Sequence, residues 1–140
     1  MHRFPKLKDR RICNVRKLPI HRMYIISKEF HFSASHALNR LPEEHQCRRV
    51  HGHNYIVTVF FRSVTLNDIG FVIDYLDLEP VKRYVDEQLD HQHLNDILSF
   101  NPTAENLAKY LYDTFKPQFP ELFKVEVSET PKTKASYEID

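Results

Sequence analysis

Between Tyr24 and His36 the even-numbered residues Tyr24, Ile26, Phe30, Phe32, Ala34 and His36 form a stripe broken only by Lys28. Side chains two apart share a face only in extended chain, so a period of two held this long demands a strand with one buried face. His36 closes that stripe. A second run repeats the pattern, with His51, His53, Tyr55, Val57, Val59 and Phe61 on one face and Asn54, Ile56, Thr58 and Phe60 on the other. A polar loop, Leu41-Pro42-Glu43-Glu44-His45-Gln46-Cys47-Arg48-Arg49, separates the two runs.

Farther along, Asn67-Asp68-Ile69-Gly70 predicts a turn and Phe71-Val72-Ile73-Asp74 a short return strand. The period then changes to that of a helix. Asp77 is the expected cap of the first helix, Pro80 is tolerated in its first turn, and Leu78, Val81, Val85 and Leu89 form its buried stripe. The second helix opens at Pro102-Thr103, where the Thr103 hydroxyl can accept an unpaired N–H, and runs through Leu107, Tyr110, Leu111 and Phe115 to Pro117. Strand alternation returns at Phe123, Val125, Val127 and Glu129, breaks at Thr130-Pro131, and resumes over Ala135–Ile139. This order of strands, two helices and strands predicts an α+β fold, an antiparallel sheet with two helices on one face.

A chain of 140 residues fits one domain and one modest core. No apolar run approaches the ~20 residues of a membrane span and no secretory signal is evident, so a cytoplasmic protein without membrane contact is expected. Cys13 and Cys47 lie in different contexts, which favours a free thiol at Cys47 over a disulfide. Charge is unevenly placed. Residues 1–22 hold eight of the twenty Lys and Arg and one of the nineteen Asp and Glu, so they carry +7 and the remainder −6. Such a basic arm suits phosphate backbones, but no nucleic-acid-binding module accompanies it, and no nucleic-acid partner is expected. Residues 1–22 read as a flexible basic extension and residues 23–140 as the folded domain.

His51-Gly52-His53 puts two imidazoles on one strand face, and His36 at the end of the neighbouring strand can complete a set of three. Nitrogen ligands without a hard oxygen cage favour zinc, and three protein ligands leave the open position of a catalytic site. Cys47 has two readings. Beside Arg48 and Arg49 it can be an activated thiol, or it can close a structural zinc site as a fourth ligand, a role also open to His45. Asp90-His91 supplies an adjacent acid and imidazole suited to a proton relay, although helix ends attract histidines for dipole reasons alone. Glu129 ends an apolar stripe, where a carboxylate needs a partner such as the paired N–H groups of a pterin or purine edge, unless the strand has already emerged into solvent.

Phe32-Ser33-Ala34-Ser35-His36, Cys47 separated by three residues from His51-Gly52-His53-Asn54-Tyr55, Leu89-Asp90-His91, Pro102-Thr103-Ala104-Glu105-Asn106 and Ser128-Glu129-Thr130 stand in the order of one known family. Over Tyr24 to about Ile139 the chain resembles the 6-pyruvoyltetrahydropterin and 6-carboxytetrahydropterin synthases. The resemblance implies the tunnelling fold (T-fold), whose subunits join their sheets into a barrel, usually as a hexamer with active sites between subunits. It implies a homo-oligomer with His36, His51 and His53 as zinc ligands, Cys47 as catalytic thiol, Asp90 and His91 as the relay, and Glu129 as catalytic-site anchor of the pterin. Thr103 and Glu105 match a segment near the substrate, a pterin triphosphate. The short Cys47–His51 spacing resembles the compact bacterial branch of the queuosine pathway, which implies a carbon–carbon lyase forming 6-carboxy-5,6,7,8-tetrahydropterin, acetaldehyde and triphosphate from 7,8-dihydroneopterin triphosphate. The alternatives are 6-pyruvoyltetrahydropterin formation and a non-enzymatic, zinc-stabilised binding protein.

Residues 1–22 lack the apolar periodicity of a core segment. A chain beginning at Met23 is therefore expected to keep its melting temperature and its activity, and calorimetry with a turnover assay on the truncated protein checks both.

Overall fold

The structure, a computed structural model, describes residues 22–140. The basic extension read from the sequence therefore lies, except for Arg22, outside the described residues. Four strands form one antiparallel sheet in the order β1-β2-β3-β4: β1 Tyr24–His36, β2 His51–Ser63, β3 Leu122–Thr130 and β4 Thr133–Glu138. The last strand begins two residues earlier than the alternation predicted and stops at Glu138.

The β1–β2 ladder runs unbroken from Tyr24 opposite Ser63 to His36 opposite His51. Its even-numbered β1 residues and odd-numbered β2 residues turn inward. Phe30, Phe32, Ala34, Tyr55, Val57, Val59 and Phe61 are buried there, and Phe32 stacks on Tyr55 with ring centroids 4.7 Å apart. In β3 the expected alternation slips by one residue. A bulge opposite Phe60 and Phe61 lets Leu122 pair with Phe61 and enter the core. Phe123 turns to the other face, against Phe60 and beneath the Arg62 guanidinium. Val125 and Val127 keep their inward places.

The helices cover the inner face. The first begins as a 3₁₀ turn, Tyr75–Leu78, continues as α1, Glu79–Tyr84, and ends in a π turn, Val85–Leu89. Its cap is Asp74, whose carboxylate accepts the Leu76 N–H, and not Asp77. The helix starts one turn earlier than the stripe indicated, and only Asp74 lies before its first unpaired N–H groups. Leu78, Val81, Val85 and Leu89 are all buried as the stripe required. A one-turn helix, α2, Leu94–Ile97, follows; it is too short to leave a periodic signal. The longer α3, Ala104–Phe115, packs on β3 and β4 and buries Leu107, Ala108, Leu111, Tyr112 and Phe115. No described helix is long and apolar enough to cross a membrane.

The segment Phe71-Val72-Ile73-Asp74 is not a strand. The Asn67 side-chain oxygen takes the N–H groups of Ile69, Gly70 and Phe71, and Gly70 adopts φ 99°, so the chain leaves the turn curled rather than extended. Val72 and Ile73 reach the core as irregular chain.

At the start of α3 the Thr103 hydroxyl accepts the Asn106 N–H at 3.2 Å. Thr103→Ala should lower stability by about 1 kcal/mol, measurable as a reduced midpoint in urea denaturation.

Candidate functional site: three histidines and a thiol cleft

The β1–β2 register carries the histidines together. His36 pairs with His51, and Ala34 with His53, so the three inward rings meet at one end of the sheet. Ring centroids lie 4.5 Å apart for His36–His51, 5.1 Å for His36–His53 and 5.0 Å for His51–His53, each pair edge to face. One nitrogen from each ring falls within 4.8 Å of the others. Gly52 lies between the two β2 histidines, and a Cβ there would stand 3.3 Å from the Ala34 carbonyl oxygen. A side chain at this position would press on the ladder that sets the rings.

Backbone carbonyls decide which ring nitrogens are available. His36 Nδ1 is 2.8 Å from the Pro102 carbonyl oxygen, and His51 Nδ1 is 2.7 Å from that of Arg49. A carbonyl only accepts, so both Nδ1 atoms carry hydrogen and Nε2 is the ring nitrogen left to face a cation. Those two Nε2 atoms are 3.0 Å apart. Two lone pairs at that distance repel unless a cation stands between them. The Glu129 carboxylate adds to the demand for positive charge, its two oxygens lying 3.9 Å from His36 Nε2 and 3.9 Å from His53 Nε2. The donor set fits a metal ion, and the three imidazoles can hold one. Burial, the larger influence, holds His36 and His53 below the usual imidazole pKa of 6.5, partly opposed by Pro102 and Glu129 at His36 and by Glu129 at His53. Both rings are accordingly neutral and ligand-ready at neutral pH.

The pinning contacts leave little sequence signal. Pro102 was legible only as a helix start and Tyr55 only as a core residue, yet the buried Tyr55 hydroxyl sits 3.2 Å from His36 Nδ1. Nothing in a residue's identity reveals where its carbonyl will point.

Around the rings lies a cleft of about 560 Å³ lined by His36, His51, His53, Glu129, Cys47 and Arg49, among others. Cys47 sits in a short 3₁₀ turn, Gln46–Arg48, half-buried and with a free thiol. Its carbonyl accepts the Leu38 N–H at 2.9 Å. The Arg48 guanidinium ties the same loop by donating to the carbonyls of Asn39 at 3.1 Å and Leu41 at 2.6 Å. Cys47 lines the wall of the cleft but lies outside the group of mutually close nitrogens. His45 points elsewhere; its ring accepts the Cys47 N–H at 3.1 Å and is exposed. Thr103 and Glu105 line an adjoining hollow that shares Leu38 and Glu129 with the first.

Asp90 and His91 are held apart from this cleft. Asp90 Oδ1 accepts the Ser33 N–H at 2.8 Å, the His91 N–H donates to the Ser33 carbonyl at 2.7 Å, and Asp90 Oδ2 meets His91 Nδ1 at 2.8 Å. The Ser33 N–H, and then His91, pull the Asp90 carboxyl below its ordinary pKa. His91 takes φ 58°, an unusual backbone state for a residue with a side chain. Its ring is 84% exposed, and it lines a second cleft with Ser33, Ser35, Gly52 and Asn54, on the outward face of β1 and β2. Within one chain the Asp90–His91 pair and the thiol therefore occupy opposite faces of the sheet.

The profile of the 6-pyruvoyl tetrahydropterin synthase family matches residues 25–140. The chain belongs to that family. It is 37% identical over 122 residues to a 6-carboxy-5,6,7,8-tetrahydropterin synthase of Synechocystis, covering 82% of this chain and 93% of that one. It is 30% identical over 130 residues to a 6-pyruvoyl tetrahydrobiopterin synthase of Dictyostelium discoideum, covering 83% and 96%. In structure it is similar to the Caenorhabditis elegans 6-pyruvoyl tetrahydropterin synthase, with a TM-score of 0.74, 27% identity and coverage of 85% and 97%. The fold is thus the T-fold subunit of this family, an antiparallel sheet with helices on one face.

Two outcomes test the site. Cys47→Ala should retain the bound divalent ion and His51→Ala should lose it, as read by metal analysis after gel filtration. The second concerns pH. Unfolded histidines titrate near 6.5, and the folded values of His36 and His53 lie lower. Below 6.5 the unfolded chain therefore binds more protons than the folded one. The metal-free protein should keep this contribution fully above 6.5 and lose it as pH falls from 6.5 toward the folded values, seen as a falling melting temperature.

Proposed function

We propose that this chain is a zinc-dependent lyase that converts 7,8-dihydroneopterin triphosphate and water to 6-carboxy-5,6,7,8-tetrahydropterin, acetaldehyde and triphosphate. The observation that carries the reading is the meeting of three imidazoles, one thiol and one carboxylate in a single cleft. Three nitrogen donors suit zinc, which when bound supplies a Lewis acid for side-chain oxygens of the substrate. His36, His51 and His53 hold that ion. The Glu129 carboxylate accepts the paired N–H groups of the pterin ring, in the hollow it shares with Thr103 and Glu105. Thr103 borders the ring while its hydroxyl caps α3. Cys47 moves a proton at the side-chain carbon that faces it, and Asp90 charges and orients His91 as the partner acid and base.

The exposure of His91 and its place on the outward face support a relay that works on a cleft completed by a neighbouring subunit. The sheet supports the same reading, because its order leaves β1 and β4 as edges able to pair with other copies. The proposed enzyme is accordingly a homo-oligomeric barrel, of hexameric type, acting in the cytoplasm on the path to queuosine. Names among the relatives favour both branches of the family, the 6-carboxy product in Synechocystis and the 6-pyruvoyl product in Dictyostelium. The compact Cys47–His51 spacing supports carbon–carbon cleavage here.

Zinc-loaded protein incubated with dihydroneopterin triphosphate should release acetaldehyde together with triphosphate, both identified by mass. Acetaldehyde forms only if the side chain is cut, so 6-pyruvoyltetrahydropterin without acetaldehyde would assign the second branch. Glu129→Gln should weaken pterin binding by on the order of 1–3 kcal/mol while changing the melting temperature little; an unchanged affinity removes the anchoring role.

A further inference from the structure

The metal cleft holds a cation that the roles above leave unused. Arg49 sits two residues before His51 in extended chain, with φ −75° and ψ 149°. Residues two apart in extended chain share a face, so the Arg49 side chain lies on the side of His51 and His53, and it lines the same cleft as Cys47. Its neighbour Arg48 is committed to the carbonyls of Asn39 and Leu41. Arg49 instead is exposed while lining the cleft, and the ion pairs between described residues do not involve it. A fixed positive charge beside a site that itself takes a divalent cation is unfavourable while the cleft is empty. A polyanionic ligand reverses that sign.

We propose that Arg49 receives the phosphate chain of the substrate, and that it makes the cleft selective for phosphorylated over unphosphorylated pterins. The inference rests on the pterin reading above. A planar guanidinium suits two oxygens of one phosphate group, which a lysine ammonium does not match. The same charge stabilises the triphosphate as it departs with an added negative charge, so binding and leaving-group departure draw on one residue. The role belongs to the side chain alone. The bond that orients His51 uses the Arg49 carbonyl, and a substitution leaves it in place.

The test is a fluorescence titration of the zinc-loaded protein with neopterin triphosphate and with neopterin, oxidised fluorescent analogues that differ only in the phosphate chain. The wild-type protein should bind the triphosphate more tightly. Arg49→Gln should reduce that preference about ten- to a hundred-fold, with zinc content and the neopterin dissociation constant unchanged, and Arg49→Lys should fall between. An Arg49→Gln protein that keeps the wild-type preference overturns the proposal. So does a wild-type protein that binds neopterin but gains nothing from the phosphates, and in that case the pterin reading survives. A wild-type protein that binds neither analogue overturns both.

Discussion

The ladder between β1 and β2 pairs every residue from Tyr24–Ser63 to His36–His51, and the site depends on that register more than on any single contact. A slip of one residue along β2 would turn His51 and His53 to the outward face and bring Gly52 and Asn54 inward. The apolar residues that prevent the slip are the same ones that build the core. Phe30, Phe32, Tyr55, Val57 and Val59 stay buried only in the observed register, so the burial that stabilises the sheet also aims the three imidazoles. The rings stand at the end of this stripe, where the core gives way to a cleft, and His36 is fully buried.

Alignment of the rings does not by itself select their donor atoms. That selection comes from chain outside the ladder: the Pro102 carbonyl just before α3, and the Arg49 carbonyl at the entry to β2. Each fixes a hydrogen on Nδ1 and leaves Nε2 to face a cation. Partners of this kind typically carry a ten- to hundred-fold share of metal affinity. The Thr103 cap of α3 adjoins the site, one residue beyond the Pro102 carbonyl that meets His36. Asn95 plays a similar part for the next loop, holding both the N–H and the carbonyl of Ala37 at 2.8 Å.

The outward face of β1 has its own fixed feature. The loop after the π turn lies along β1 at Ser33 and Ser35, with the Ser35 N–H donating to the Gln92 carbonyl at 3.0 Å. This docking holds His91 in its left-handed backbone state and locks Asp90 against its ring. His91 is exposed and Asp90 half-buried beneath it, and the pair stands on the opposite side of the sheet from the thiol. This placement is what the proposed relay between neighbouring copies of the chain rests on.

Much of this was legible in the residues. Alternation from Tyr24 to His36 and from His51 to Phe61 determined two strands and their buried faces, because a period of two admits no helical reading. The spacing His51-Gly52-His53, with His36 ending the first stripe, determined that three imidazoles would lie together once those strands paired. The α3 boundaries followed from Thr103 and Pro117. Tertiary structure decided the rest, because these features depend on contacts between distant segments or on backbone atoms that every residue shares. The β3 bulge exchanged Leu122 for Phe123 in the core, since only packing against Phe61 chooses between two adjacent apolar residues. Asn67 curled the expected strand at residues 71–74 by taking its N–H groups. The ring tautomers were decided by carbonyls of Pro102 and Arg49, and the separation of Asp90 and His91 from Cys47 by which face of β1 their loop could reach.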